Sequence, residues 1–209
     1  YRRFTFLIMD ILVACEVSQR VTNELRLLGH NAFSCDILET TGTNKKWHIK
    51  DDVLKHVNQN WDLMIAFPPC THLAVSGAKH FKEKIKDGRQ QKAIDFFMSL
   101  VFAPIDKIAI ENPIGIMSKI YRKPDQIIQP YHFGDSFQKS TCLWLKNLNK
   151  LQSTNIVHKG EFITFKSGKK MSKWYSESKK NDARSITFPG IAKAMADQFT
   201  KPLIQTKLF

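Results

Sequence analysis

The chain reads as one α/β domain built on a mainly parallel, Rossmann-like sheet with helices on both faces and a small basic insertion. Two observations lead there. Short apolar runs of strand length alternate with segments whose apolar residues repeat at helical spacing, the pattern of a parallel sheet covered on both sides. At 209 residues with 43% hydrophobic content, the chain suits one core of moderate size.

In order, Ile11-Leu12-Val13-Ala14 forms the first strand. Ser18 can cap a helix carrying Val21, Leu25 and Leu28 on one side, and Gly29 ends it. Ala32-Phe33-Ser34-Cys35 is a second strand running into Asp36. A polar loop from Thr40 to Lys46 precedes Asp51-Asp52 and a short helix. Asp62 to Phe67 is a strand that ends in Pro68-Pro69-Cys70-Thr71-His72. Gln90 to Ala103 is helical, with Ile94, Phe97 and Val101 aligned, and Lys107 to Glu111 is the next strand. An irregular stretch leads to a strand over Thr141 to Leu145, and Ile191 to Phe199 forms the last helix. Residues 1–8 read as an extension outside the core, with an extra edge strand as the alternative. They lack the small-residue cleavage site of a signal peptide.

Lys and Arg number 32 against 19 acids, a net charge of +13, which suits a polyanionic partner. The four cysteines are scattered without metal-site spacing, as in a reducing compartment. No apolar run is long enough to cross a membrane. The expected location is the cytoplasm. Between 151 and 185, eight basic residues (159, 166, 169, 170, 173, 179, 180, 184) stand against three acids, with aromatic residues interleaved. Lys166, Ser167, Gly168, Lys169 and Lys170 read as a hairpin tip. This composition suits a surface that tracks a nucleic-acid backbone through Lys166, Lys169, Lys170 and Lys173 and stacks on Trp174. The alternative is a solvated insertion whose aromatics pack back on the core.

In parallel sheets ligands sit beyond the carboxyl ends of the strands. Glu16, Asp36, Cys70 and Glu111 all fall at such ends. A cysteine behind two prolines and a carboxylate on a later strand are the groups needed to activate C5 of a pyrimidine. The thiolate adds at C6 while the acid protonates N3. A thiol of lowered pKa is expected for that task. His72 and His80 lie close by, but lone loop histidines are more often solvated and neither is given a role.

Phe67-Pro68-Pro69-Cys70-Thr71 and Glu111-Asn112-Pro113, in this order and spacing, resemble the nucleophile and Glu-Asn motifs of the C5-cytosine DNA methyltransferases, especially the short phage-type members. The resemblance covers roughly residues 9 to 150 and 185 to 200. It implies a catalytic domain over 9–150 and 186–205 and a DNA-recognition segment over 151–185. It further implies S-adenosyl-L-methionine as cofactor and a cytosine flipped out of double-stranded DNA as substrate. Cys70, Glu111, Asn112 and Pro69 are then the catalytic set. Lys139, in Gln138-Lys139-Ser140-Thr141, stands where the family has arginines that hold the adduct. Glu16, Ser18, Asp36, Ile37, Asp52, Val53 and Pro68 are the implied cofactor contacts. The family's first loop is glycine-rich, whereas Cys15-Glu16-Val17-Ser18-Gln19 has no glycine. Two readings stay beside this one: a methyltransferase-like DNA-binding module, and C5 chemistry on free pyrimidine nucleotides. A restriction or accessory partner, the target sequence and the oligomeric state are not legible.

Overall fold

The computed structural model describes residues 7–178 and 185–202. Most of the expected extension and the basic residues 179, 180 and 184 lie outside them. Seven strands form the main sheet: β1 (Asp10–Ala14), β2 (Asn31–Asp36), β3 (His48–Lys50), β4 (Leu63–Ala66), β5 (Lys107–Pro113), β6 (Gln126–Ile128) and β7 (Thr141–Lys146). Their order is β3-β2-β1-β4-β5-β7-β6. The first five are mutually parallel, and β7 runs antiparallel to both β5 and β6. The α/β, mainly parallel sheet expected from the sequence is therefore present, with β3 and β6 as short edge strands that the sequence reading left as loop.

Strand periodicity divides the core into two layers. Ile11, Val13, Leu63, Ile65, Ala109 and Leu143 face one way and pack with Val21 and Leu25 of α1 (Arg20–Leu27). Ile191, Met195 and Phe199 of α6 (Pro189–Phe199) complete that layer. Leu12, Ala14, Met64, Ala66, Ile108, Ile110 and Trp144 face the other way, against Phe97 and Leu100 of α3 (Arg89–Val101). Glu111 falls in register with the first layer and Asn112 with the second.

The helix ends decide how the strand ends are held. At the C-terminus of α1, Gly29 adopts φ 85°, its N–H donates to Arg26 and that of His30 donates to Leu25. That pairing is a Schellman cap, which glycine adopts without Cβ strain. At the N-terminus the expected cap is corrected. Ser18 Oγ is only 3.4 Å from Arg20 N, whereas the buried Glu16 carboxylate accepts from Val21 N (2.7 Å), Thr22 N (3.2 Å) and Thr22 Oγ1 (2.6 Å).

The start of α6 is equally fixed. Pro189 occupies its first turn and Asp135 Oδ2 accepts from Gly190 N at 2.9 Å. A Cβ on residue 190 would overlap the Phe133 carbonyl. Gly190→Ala is expected to lower stability by about 2–3 kcal/mol through overpacking, a fall in Tm of roughly 5–10 °C measurable by calorimetry.

Between β4 and β5 the chain forms a 3₁₀ turn over Val75–His80 and the short α2 (Phe81–Lys86). After β5 comes α4 (Met117–Ile120). Strands β8 (Phe162–Thr164) and β9 (Lys170–Ser172) pair as a separate antiparallel hairpin followed by α5 (Lys173–Glu177). Phe165 and Lys169 close its tip at the expected turn.

Candidate active site

Strands β4 and β5 are parallel neighbours, with Ala66 opposite Ile110, so the Cys70 turn and Glu111 emerge at one sheet edge. Several bonds tie these two ends together. Asn112 Nδ2 donates to Pro68 O across a buried 2.7 Å contact. Beyond it, Val75 N donates to Ile114 O and Ile116 N to Leu73 O, with a bridge between Ala74 and Gly115. The turn itself is closed by Leu73 N and Ala74 N, which both donate to Cys70 O. Pro69 is exposed and Cys70 is half-buried.

Antiparallel pairing brings β7 alongside β5. Glu111 sits opposite Leu143, and Thr141, two residues away on the same face, hydrogen-bonds the Glu111 carboxyl. Glu111 lines a small cavity with Lys139, Thr141, Ser185, Thr187, Phe188 and Ile191. Burial raises the Glu111 pKa, opposed by the Lys139 charge and the Thr141 bond. The carboxyl therefore holds its proton above the usual carboxylate range. The Cys70 thiol is also pushed up, first by burial and then by the Glu111 charge, while Lys139 pulls it down. The thiol of lowered pKa expected from the sequence is thus corrected for this state. Cys70, Glu111 and Lys139 nonetheless act on one another electrostatically and form one site.

At the carboxyl ends of β1 and β2, on the same side of the sheet, lies a second cluster. Asp36 and Asp52 both act on the Cys15 thiol, whose pKa is raised mainly by burial. Oδ1 of Asp36 accepts from Leu38 N (2.9 Å) and Oδ1 of Asp52 from Leu54 N (3.0 Å). The other oxygen of each makes no hydrogen bond among the described residues. Ile37 is 70% exposed beside them. The intervening loop has no glycine, yet Cys15 (φ 59°) and Gln19 (φ 55°) both take the left-handed conformation that glycine favours. Gln19 is fixed there by Nε2 bonds to Asn44 O (2.9 Å) and Ser34 Oγ (3.3 Å).

Several sequence expectations change here. Glu16 is committed to capping α1, so its carboxylate is not presented to a ligand, and Ser18 stays on the loop surface. Val53, at 3% exposure, packs in the core, and buried Pro68 serves the edge through its carbonyl. Lys166, Lys169 and Lys170 are exposed on the hairpin, and Lys173 is ion-paired to Glu161 at 2.8 Å. Trp174 is corrected from an open stacking platform to a packing residue, its ring 4.9 Å from Phe188 and 5.5 Å from Phe137. Since Phe188 also lines the Glu111 cavity, Trp174 braces that wall. Thr141, Thr187 and Phe188 escaped the sequence reading. Only the antiparallel β5–β7 register, which has no local sequence signal, could have pointed to Thr141. Among the described residues no acid, Cys or His cluster suits a metal ion, and no helix is long and apolar enough to cross a membrane.

No protein-family model and no curated protein sequence matches the chain. Among solved structures, it is similar to a candidate DNA modification methyltransferase encoded within a prophage of E. coli, at 14% identity and a TM-score of 0.47. The similarity covers 72% of this chain and 52% of that one, so the chain spans about half of its neighbour's length.

Proposed function

We propose that the protein transfers a methyl group from S-adenosyl-L-methionine to C5 of a cytosine flipped out of double-stranded DNA. The observation that carries this reading is the joining of Cys70 and Glu111 at the ends of adjacent parallel strands, under one Lys139 charge. Cytosine C5 becomes nucleophilic only when a thiolate adds to C6 and a proton reaches N3. Cys70 as nucleophile and protonated Glu111 as donor supply both groups. A proton on Glu111 also removes the negative charge that opposes ionisation of Cys70, so the reactive pair is thiolate plus neutral acid. Lys139 favours the thiolate form. Asn112 fixes the spacing of the two strand ends through Pro68.

The residues at the β1–β2 edge fit the cofactor. Each of Asp36 and Asp52 keeps one carboxylate oxygen able to accept from a hydroxyl or amine, and Ile37 offers apolar surface beside them. Strand order reverses between β1 and β4, the general ligand position of such sheets, and β1 ends beside this cluster. When bound, S-adenosyl-L-methionine supplies an electrophilic methyl group to C5. Loss of the C5 proton to water, departure of the Cys70 thiolate and return of the N3 proton to the Glu111 carboxylate then restore the ring.

Flipping a base costs about a few kcal/mol, so flanking backbone contacts are needed. The exposed Lys166, Lys169 and Lys170 on the β8–β9 hairpin are the proposed contacts. Replacing Lys169 and Lys170 with Ala is expected to weaken DNA binding and reduce its salt dependence, by about one unit of slope for each phosphate no longer neutralised. Cofactor affinity should stay unchanged. Unaltered DNA affinity and slope would move the interface elsewhere. The function itself is tested with labelled cofactor on mixed-sequence duplex DNA. Label on C5 of cytosine is expected, and label only on free nucleotides would favour the nucleotide-modifying alternative.

A further inference from the structure

Lys84 is 7% exposed, a buried lysine on the short helix α2. It makes no ion pair among the described residues. Its Nζ donates instead to the carbonyl of Thr71 at 2.6 Å and lies 6.0 Å from the Phe81 ring centre. An ammonium buried without a carboxylate is costly, and methionine would fill similar volume without that penalty. Its partner explains what the charge does. Thr71 follows Cys70 directly, and the next carbonyl, that of His72, accepts from Gln90 Nε2 at 3.1 Å. The carbonyl of Cys70 is taken by Leu73 N and Ala74 N. Three consecutive carbonyls are thereby fixed, two of them by side chains from α2 and α3 behind the turn. Arg89 holds the corner between these helices through Glu83 and Asp87.

We infer that Lys84 is a positioning residue, with Gln90 as its companion, that clamps the Cys70 turn from behind and sets the direction of thiol attack. The inference rests on reading Cys70 as the nucleophile. It adds a requirement that reading lacks: the turn is held by a cation from outside the sheet edge. A displaced attacking atom loses rate far more than binding, by about 10²-fold for an error near 1 Å.

The test compares Lys84→Met, Lys84→Arg and Gln90→Met with wild type by two readouts. The first is hydrogen exchange at the amides of Leu73 and Ala74, which report turn closure and need no substrate. Lys84→Met should accelerate both by about tenfold or more while the β1–β5 core amides keep their protection. The second is the rate of covalent capture on duplex DNA containing 5-fluorocytosine with cofactor present. That rate should fall by about 10²-fold, with DNA and cofactor affinities unchanged. Lys84→Arg, which keeps a cationic donor, should recover most of it, and Gln90→Met should show a smaller loss of the same kind. Unchanged exchange at Leu73 and Ala74 in Lys84→Met would overturn the inference. Should that variant fail to fold, the same two amides are read in Lys84→Gln, and unchanged exchange there overturns it equally. If wild type itself gives no covalent complex, the reading of Cys70 fails, while the exchange result still decides whether Lys84 holds the turn.

Discussion

Cys70→Ser is expected to lower methyl transfer by about 10³-fold or more, with DNA binding, cofactor binding and fold retained. Oxygen is the weaker nucleophile at neutral pH, and no other thiol can take over. Cys142 feels the Glu111 charge but is buried in the opposite core layer, as is Cys35, and Cys15 lies at the end of β1 beside Asp36 and Asp52. The apo Cys70 thiol has a raised pKa, so the thiolate population in the free enzyme is small and grows with pH. The wild-type rate should therefore rise with pH on its acid limb. A serine variant with activity within a few-fold of wild type, by steady-state transfer of labelled methyl, would remove Cys70 from the chemistry.

Glu111→Gln is the second large effect, a loss of about 10²–10⁴-fold in kcat from removal of the N3 proton donor. Its pH behaviour separates chemistry from stability. The folded-state pKa of Glu111 is raised, chiefly by burial. Stability from this group is therefore complete below the ordinary carboxylate range and is lost as pH rises through the raised value. Glutamine cannot ionise and escapes that loss. The variant should match wild type in acid and become the more stable of the two above the Glu111 pKa, while remaining nearly inactive throughout. Denaturant titrations across pH check the first statement and single-turnover kinetics the second. The alkaline limb of wild-type activity, where Glu111 loses its proton, should disappear from the residual activity of the variant.

The fold was legible because strand runs such as Leu63-Met64-Ile65-Ala66 are too short and too apolar for anything but buried parallel strands. The placement of Cys70 and Glu111 at strand ends followed from the same reading. What escaped depended on long-range packing. Strand direction has no local signature, so the reversal at β7 that brings Thr141 to Glu111 was invisible. Glu16 looks like an open strand-end acid until α1 turns its N–H groups back onto it. Residues 81–86 carry no reading from sequence, yet the backbone folds Lys84 inward to the Thr71 carbonyl. Trp174 looked available for stacking because nothing in its neighbourhood announces Phe188, fourteen residues later, as its partner. The first loop lacks glycine, yet Cys15 and Gln19 adopt the left-handed backbone that glycine favours.

The central claim is that Cys70 attacks C6 of cytosine in DNA while Glu111 protonates N3. Duplex DNA containing 5-fluorocytosine tests it most directly, because the fluorine at C5 cannot be removed by a base as hydrogen is, and the C6 adduct cannot collapse. Incubation with S-adenosyl-L-methionine followed by denaturing electrophoresis and peptide mass mapping should yield a covalent protein–DNA complex. Its cross-link should lie on the peptide containing Cys70, and it should be absent in Cys70→Ser and strongly slowed in Glu111→Gln. An enzyme that methylates ordinary DNA yet forms no such complex, or that is cross-linked through another residue, would contradict the account.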